Sequence, residues 1–156
     1  MKTKKVKTSL ENLSPLLFAM LDENIDITIT VTGSSMNPLL THGRDSVILT
    51  SCNKFNLKRG DIPLYRRSNG QYVLHRIIKV NEDSYNLCGD NQYIIERNLP
   101  KENIIAVVKA FERNGKLYSC SDFIYKVYWC LRVFSIPFRC FLHKAWYRIR
   151  TIQFYR

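Results

Sequence analysis

The sequence lacks the features that would mark it as a membrane-spanning or exported protein. No apolar run reaches the roughly 20 residues that a spanning helix needs, and the best N-terminal candidate, residues 12–21, ends directly at Asp22 and Glu23. The Lys-rich start is similar to the opening of a signal peptide, but no small-residue cleavage site follows the apolar stretch. We therefore expect a cytoplasmic protein without a membrane anchor.

The sequence has no Cys-x-x-Cys pair. There are five cysteines, an odd number, so the pattern indicates neither a disulfide framework nor a zinc site. Reduced thiols and a protein without metal or cofactor are expected. The cysteines are Cys52, Cys88, Cys120, Cys130 and Cys140.

Carboxylates are missing from both ends of the chain. All 13 Asp and Glu fall within residues 8–122, together with 13 Lys and Arg, whereas residues 1–7 hold four Lys and residues 123–156 hold seven Lys and Arg. The net charge of +11 therefore belongs to the ends, and the centre is neutral. This distribution argues against a polyanion-binding surface over the whole fold, and no nucleic-acid-binding motif accompanies the charge.

The C-terminal stretch combines its cations with aromatic residues. Residues 123–156 contain 11 of the 19 aromatic residues. In a helix, Arg132, Arg139, His143 and Arg150 would share one face, and Pro137 is expected to divide the helix into two segments. Two interpretations stay open: the aromatic face packs on the rest of the protein, or the stretch contacts an anionic membrane peripherally at its inner surface.

Between these ends the pattern predicts a mainly β body. Residues 25–31 alternate apolar and polar side chains, as a half-buried strand does, and Asn69-Gly70 indicates a hairpin turn. Leucines at helical spacing predict an amphipathic helix before the first strand. The further predicted strands are residues 46–50, 62–66, 71–80, 84–87 and 104–112.

A chain of 156 residues is expected to form one core. The predicted organisation has three parts. Residues 1–24 form a basic, amphipathic helix, residues 25–120 form the β domain, and residues 121–156 form a basic, aromatic, helical extension.

The segment most suggestive of chemistry is Gly33-Ser34-Ser35-Met36-Asn37-Pro38, at the end of the first strand. A nucleophilic serine must lie where a base can take its proton and where backbone N–H groups can face the oxyanion, and a strand-to-turn transition offers both. Taken alone, the segment is equally well explained as a polar turn.

Two further segments carry polar residues of the same kind. His75 and Arg76 lie in the predicted strand over residues 71–80, where a lone histidine is more often structural than catalytic. Gly89-Asp90-Asn91 reads as a turn, with Glu96 following shortly after it.

The order and spacing of the three segments resemble the signal peptidases and their relatives, the LexA-type self-cleaving repressors. The resemblance runs from about Ile27 to Glu112 and includes the segment Gly60-Asp61-Ile62. Histidine at position 75, where the bacterial enzymes carry lysine, is similar to the archaeal and endoplasmic-reticulum signal peptidases.

The resemblance implies a signal-peptidase-like β-fold, a Ser35 nucleophile and a His75 base. Either Asp90 or Glu96 would orient the imidazole; the resemblance favours Glu96 for direct contact, and Asp90 for holding the loop or sharing the role. The residues expected to form the oxyanion and substrate-binding site are Gly33, Ser34, Met36, Pro38 and Arg76.

Two departures from the family pattern bear on activity. Gly33 stands where signal peptidases often have a serine that assists the oxyanion hole, so the Ser35 N–H would carry most of that stabilisation, worth about 3 kcal/mol for one donor. The second departure is that the sequence has no apolar run long enough for the membrane anchor of signal peptidases, so none is expected.

Two functions are therefore expected from the sequence. The first is a serine endopeptidase that binds a peptide or preprotein as an extended strand and cuts after a small residue. The alternative is a non-catalytic, regulatory peptide-binding domain of the same fold.

Overall fold

A computed structural model describes residues 10–142 of the chain, with side chains from residue 15 onward. Its strands outnumber its helices, so the predicted mainly β architecture with a short N-terminal helix and C-terminal helices is confirmed. The elements are α1 (Leu10–Asp22), β1 (Ile27–Thr30), β2 (Ser46–Thr50), β3 (Pro63–Arg66), β4 (Tyr72–Leu74), β5 (Arg76–Val80), β6 (Ser84–Cys88), β7 (Glu96–Pro100), a 3-10 turn (Lys101–Asn103), β8 (Ile104–Arg113), β9 (Lys116–Ser119) and α2 (Phe123–Phe134).

The strands form two antiparallel sheets. The larger has the order β1-β2-β8-β3-β4, with β9 also paired to β8, and the smaller has the order β5-β6-β7. Strand β8 spans ten residues and pairs with β2, β3 and β9, so it is the central strand of the larger sheet. Strands β1 and β4 are the two ends of this path.

The main core lies on one face of the larger sheet. Val47 and Leu49 of β2 and Leu64 of β3 are completely buried there, because alternate side chains of a strand point to the same face. Helix α1 covers this face with Leu17 and Leu21, as expected of an amphipathic helix, while Leu16 is exposed. A second cluster joins Tyr65 to apolar residues of the smaller sheet.

The predicted strand over residues 71–80 is two strands. Strand β4 pairs with β3 in the larger sheet and β5 pairs with β6 in the smaller one, so the chain changes sheets at His75. The prediction was wrong because the residue types on both sides of His75 suit a strand, and the choice of neighbouring strand is a tertiary property. The hairpin at Asn69-Gly70 is confirmed: Gly70 donates its N–H to the Arg67 carbonyl at 2.9 Å.

Strands β7 and β9 were not predicted. Strand β7 has only one buried side chain, Leu99, and β9 has none, so neither shows the apolar alternation of a half-buried strand. Pairing with β6 and β8 makes them strands.

The C-terminal stretch forms two helical segments, as Pro137 predicted. Helix α2 ends at Phe134, and residues 136–142 are helical again after a turn at Ser135. The inner face, with Tyr125, Val133 and Ile136, is buried against the body, so the packing interpretation is confirmed for these residues. His143 and Arg150 lie outside the described residues. Within residues 10–142, no helix has the length and apolarity needed to cross a membrane.

Candidate active site

A cleft of about 290 Å³ lies between the two end strands of the larger sheet. The curl of the sheet brings β1 and β4 to opposite sides of this cleft, since its lining includes residues of both. In the part of the chain that the structure describes, no strand pairs with the outer edge of either. The cleft therefore has strand edges on two sides, with backbone groups available to an extended peptide.

Ser35 lies in the turn that follows β1 and lines the cleft. Gly33 begins this turn with a φ of +85°, in the left-handed region that glycine adopts without a steric cost. The Gly33 N–H donates to His42 Nδ1 at 2.9 Å, a contact that the sequence did not predict. The Ser35 N–H has no acceptor among residues 10–142 and is free to donate to an oxyanion.

His75 lies at the crossing from β4 to β5 and also lines the cleft. Its ring is almost completely buried, with Nδ1 at 2.9 Å from Glu96 Oε1 and 3.1 Å from the Tyr65 hydroxyl. With Nδ1 engaged, Nε2 is the ring nitrogen left to accept a proton. No hydrogen bond joins Ser35 Oγ to His75 among the described residues, and in ligand-free active sites this contact is often longer than in the substrate complex.

Glu96 is held by Tyr65 in β3 and by Arg67 directly after that strand, and the sequence predicted neither contact. The Tyr65 hydroxyl donates to Oε1 at 2.8 Å, and Arg67 donates from Nε to Oε2 at 3.0 Å and from Nη2 to Oε1. Neither residue belongs to a recognisable motif. Tyr65 is completely buried, and a buried tyrosine needs a partner for its hydroxyl; its place within the predicted strand over residues 62–66 was the signal in the sequence.

The charges around this carboxylate shift two pKa values. Burial lowers the pKa of His75 below its ordinary value of 6.5, although the Glu96 carboxylate opposes the shift. Burial would raise the pKa of Glu96, but hydrogen bonds from Arg67 and Tyr65 and the charges of His75 and Arg67 together lower it. At neutral pH the site therefore contains a neutral imidazole beside an ionised carboxylate.

Asp90 does not contact His75. It forms a bidentate pair with Arg76, with Nε to Oδ1 at 2.8 Å and Nη2 to Oδ2 at 2.6 Å, and accepts a hydrogen bond from the Tyr128 hydroxyl at 3.1 Å. Of the two candidate carboxylates, Glu96 is the one against the imidazole. Asp90 holds its own loop in place.

Arg76 is also placed differently from the expectation that it would bind substrate. It is buried behind the cleft, where Nη1 donates to the Gly60 carbonyl and the Tyr125 hydroxyl, both at 2.8 Å. Adjacent side chains in an extended chain point to opposite sides, so Arg76 points away from the cleft that His75 faces.

The loop containing Gly89, Asp90 and Asn91 lies directly against the Ser35 turn. The Asn91 N–H donates to the Ser35 carbonyl at 2.8 Å, and Asn91 Nδ2 donates to the Ser34 carbonyl at 3.3 Å. A Cβ at Gly89 would lie only 2.6 Å from the Ser35 carbonyl oxygen, so the close approach requires glycine. The loop thus fixes the backbone on which Ser35 sits.

The C-terminal helices hold this loop from behind. Arg132 Nη2 donates to the Asp90 carbonyl, and Arg139 Nη1 donates to the carbonyls of Asp90 at 2.6 Å and Gln92 at 2.9 Å. The sequence predicted that Arg132 and Arg139 share one helical face. It did not predict that this face binds the loop. The extension is therefore part of the support of the site.

The remaining predicted residues lie around the same turn. Met36 is buried and lines the cleft, whereas Ser34 and Pro38 are exposed on the turn and lie outside the lining. Residues 10–142 contain no group of three His, Cys, Asp or Glu side chains arranged to hold a metal ion.

A comparison with protein-family models matched no family, and a search of curated proteins found no match. The function must therefore be inferred from the residues around the cleft.

Proposed function

We propose that the chain is a serine endopeptidase, similar to the signal peptidases, in which Ser35 is the nucleophile, His75 the general base and Glu96 the carboxylate that orients the histidine. The observation that carries the proposal is the pairing of His75 Nδ1 with Glu96 at 2.9 Å in a cleft that Ser35 also lines. This pairing leaves Nε2 as the basic nitrogen, which is what a serine nucleophile requires.

The reaction proceeds in two steps. Ser35 Oγ attacks the scissile carbonyl while His75 Nε2 takes its proton, and the Ser35 N–H stabilises the oxyanion of the tetrahedral intermediate. His75 then protonates the leaving amine, which departs and leaves an acyl-enzyme. A water molecule, deprotonated by His75, attacks the acyl-enzyme and releases the new C-terminal carboxylic acid, and Ser35 regains its proton.

The neighbours of His75 suit both steps. The lowered pKa keeps the imidazole neutral and ready to accept a proton at neutral pH. Once His75 is protonated, the Glu96 carboxylate stabilises the imidazolium, and Arg67 and Tyr65 keep Glu96 ionised and oriented.

The open edges of β1 and β4 favour an extended peptide as the substrate. A peptide strand between them would gain main-chain hydrogen bonds independent of its sequence. Selectivity would come from the buried apolar side chains beside Ser35, including Met36 and Leu64. The resemblance to the signal peptidases implies a small side chain next to the scissile bond.

The test is cleavage of a diverse peptide library, read by mass spectrometry, with the full chain and two variants. We expect Ser35→Ala to abolish cleavage, because the nucleophile is lost, while thermal melting shows that the fold survives. Ser34→Ala is the matched control, since its side chain lies outside the cleft, and it is expected to retain most of the activity.

Equal cleavage by Ser35→Ala and the unsubstituted chain would refute the proposal. A chain that binds library peptides tightly without cutting any would favour the non-catalytic peptide-binding alternative.

A further inference from the structure

The two C-terminal helical segments carry a continuous apolar stripe on their outer surface. Besides Phe123 (78%) at the start of α2, five large side chains of these segments are more than three-fifths exposed, although residues of this kind usually lie inside a protein. These five are Ile124 (82%), Leu131 (64%), Phe134 (85%), Phe138 (63%) and Phe141 (67%). We call these five residues the outer stripe.

The outer stripe follows the helical repeat and crosses the break at Ser135. Its members are separated by seven, three, four and three residues, which keeps them on one side of a helix. The opposite side, with Tyr125, Val133 and Ile136, is buried against the β body. The helices are thus apolar on both sides, and packing within the described residues covers only the inner one.

The charge of this stretch indicates what kind of surface the outer stripe fits. Residues 123–156 contain seven Lys and Arg and no Asp or Glu. Arg132 and Arg139 donate inward to the loop behind the active site, while Lys126 is exposed on α2. Four more cations and Trp146 follow in residues 143–156 of the sequence.

This charge argues against a second copy of the chain as the occupant. Two copies facing each other through the outer stripe would bring together two stretches that contain cations and no carboxylates, which repel. An anionic bilayer offers phosphates to the cations, an apolar interior to the stripe and an interfacial region that suits Trp and Tyr.

We propose that the outer stripe docks the protein in the plane of an anionic lipid bilayer. The helices lie along the surface with Phe134 and Phe138 in the boundary between headgroups and acyl chains, and the exposed Lys126 lies near the phosphates. The proposal goes beyond the peptidase function and does not depend on it, because none of its residues takes part in cleavage.

The test is co-sedimentation with vesicles, using the full chain carrying Ser35→Ala so that catalysis plays no role. The vesicles are phosphatidylcholine alone or phosphatidylcholine with phosphatidylglycerol. We expect binding to the anionic vesicles that weakens as salt is raised, and little binding to the neutral ones. Adding Phe134→Ser and Phe138→Ser is expected to lower the partition coefficient at least about tenfold.

The matched control is Phe55→Ser, added to the same background. Phe55 is 57% exposed in the segment between β2 and β3, so its loss removes a comparable exposed aromatic ring outside the outer stripe. We expect this variant to bind as the parent does. Thermal melting of each variant verifies that the fold is intact.

Three results would overturn the proposal. These are no binding to anionic vesicles, equal binding to neutral vesicles, and unchanged binding of the Phe134→Ser, Phe138→Ser variant. In the first case, a concentration-dependent dimer that the same substitutions dissociate would show that a second copy covers the outer stripe.

Discussion

Asp90 and Glu96 are only six residues apart, yet the regions around them differ in hydration and in partners. Glu96 and Arg67 keep 25% and 33% of their side-chain surface exposed at the edge of the cleft. Asp90 and Arg76 keep 3% and 1% behind it. Glu96 faces a histidine that can change its charge, whereas Asp90 faces an arginine that stays charged.

The difference indicates a division of labour. The Glu96 carboxylate is partly hydrated, so it can stay ionised beside a protonated His75 at a small desolvation cost, because water and Arg67 already stabilise its charge. A fully buried ion pair is held by several hydrogen bonds, and losing one partner leaves an unpaired charge in the interior. We therefore expect the Glu96 region to govern rate and the Asp90 region to govern stability, and the following experiments test that contrast.

The largest effect is expected from Asp90→Asn. Neutralising Asp90 leaves the Arg76 guanidinium buried without its counter-charge, which should lower the free energy of unfolding by about 3–5 kcal/mol. Urea denaturation measures this loss. Replacing both partners, with Arg76→Met and Asp90→Leu, removes the unpaired charge and should recover part of the stability. A loss below about 1 kcal/mol in Asp90→Asn would contradict the assigned role.

Glu96→Gln should show the opposite balance. The amide cannot stabilise a protonated His75 and can favour the wrong tautomer, so kcat/KM should fall by about 100-fold or more. Because the Arg67 pair is partly exposed, unfolding free energy should change by about 1 kcal/mol or less. Glu102→Gln, at an exposed glutamate, is the control and should alter neither quantity. Peptidase assays and urea denaturation on the same samples decide between the two outcomes.

Arg139→Met tests whether the C-terminal helices influence the reaction through the loop. Losing two hydrogen bonds to the Asp90 and Gln92 carbonyls should loosen the support of Ser35 and lower kcat by about tenfold, with little change in KM. Arg139→Lys keeps a cationic donor and should restore part of the rate. Lys126→Met removes an exposed cation from the same helices as a control. A rise in KM alone, with kcat unchanged, would argue against a positioning role.

The smallest effect concerns pH. In the proposed mechanism the deprotonated form of His75 is the base, so kcat/KM should rise with pH through the histidine pKa, which burial holds below 6.5. The Arg67 charge contributes to that lowering, so Arg67→Met should raise the pKa of His75 and move the limb to higher pH, by about one unit or less. Arg66→Met, at the adjacent arginine, should leave the limb in place. A shift to lower pH would contradict this assignment of charges.

The sequence predicted the mainly β architecture from local patterns. Strand β2 was predicted with the same bounds as observed, because a short apolar run rich in β-branched residues is typical of a strand. The hairpin at Asn69-Gly70 and the two C-terminal segments divided near Pro137 were predicted for similarly local reasons. Strands β7 and β9 were missed because pairing, and not pattern, makes them strands.

For the candidate site, the resemblance identified Ser35, His75 and Glu96 across distant segments but not the other partners of these residues. In the structure Ser35 and His75 line one cleft, and Glu96 contacts His75. Tyr65, Arg67 and Arg139 were missed, since each acts by contacting a residue far along the chain. Arg76 was predicted to bind substrate but is buried behind the cleft, because the sequence did not reveal the change of sheet at His75.

The sequence by itself determined the neutral centre, the cationic ends, the strand patterns and the candidate nucleophile and base, because these depend on residue identity and short-range spacing. The resemblance favoured Glu96 as the partner of the histidine, but only the tertiary structure shows Glu96 against the imidazole and Asp90 paired with Arg76. Asp90 and Glu96 are so close in the sequence that their positions along the chain do not distinguish their roles. Their roles differ because the sheets and the C-terminal helices bury one and leave the other at the edge of the cleft.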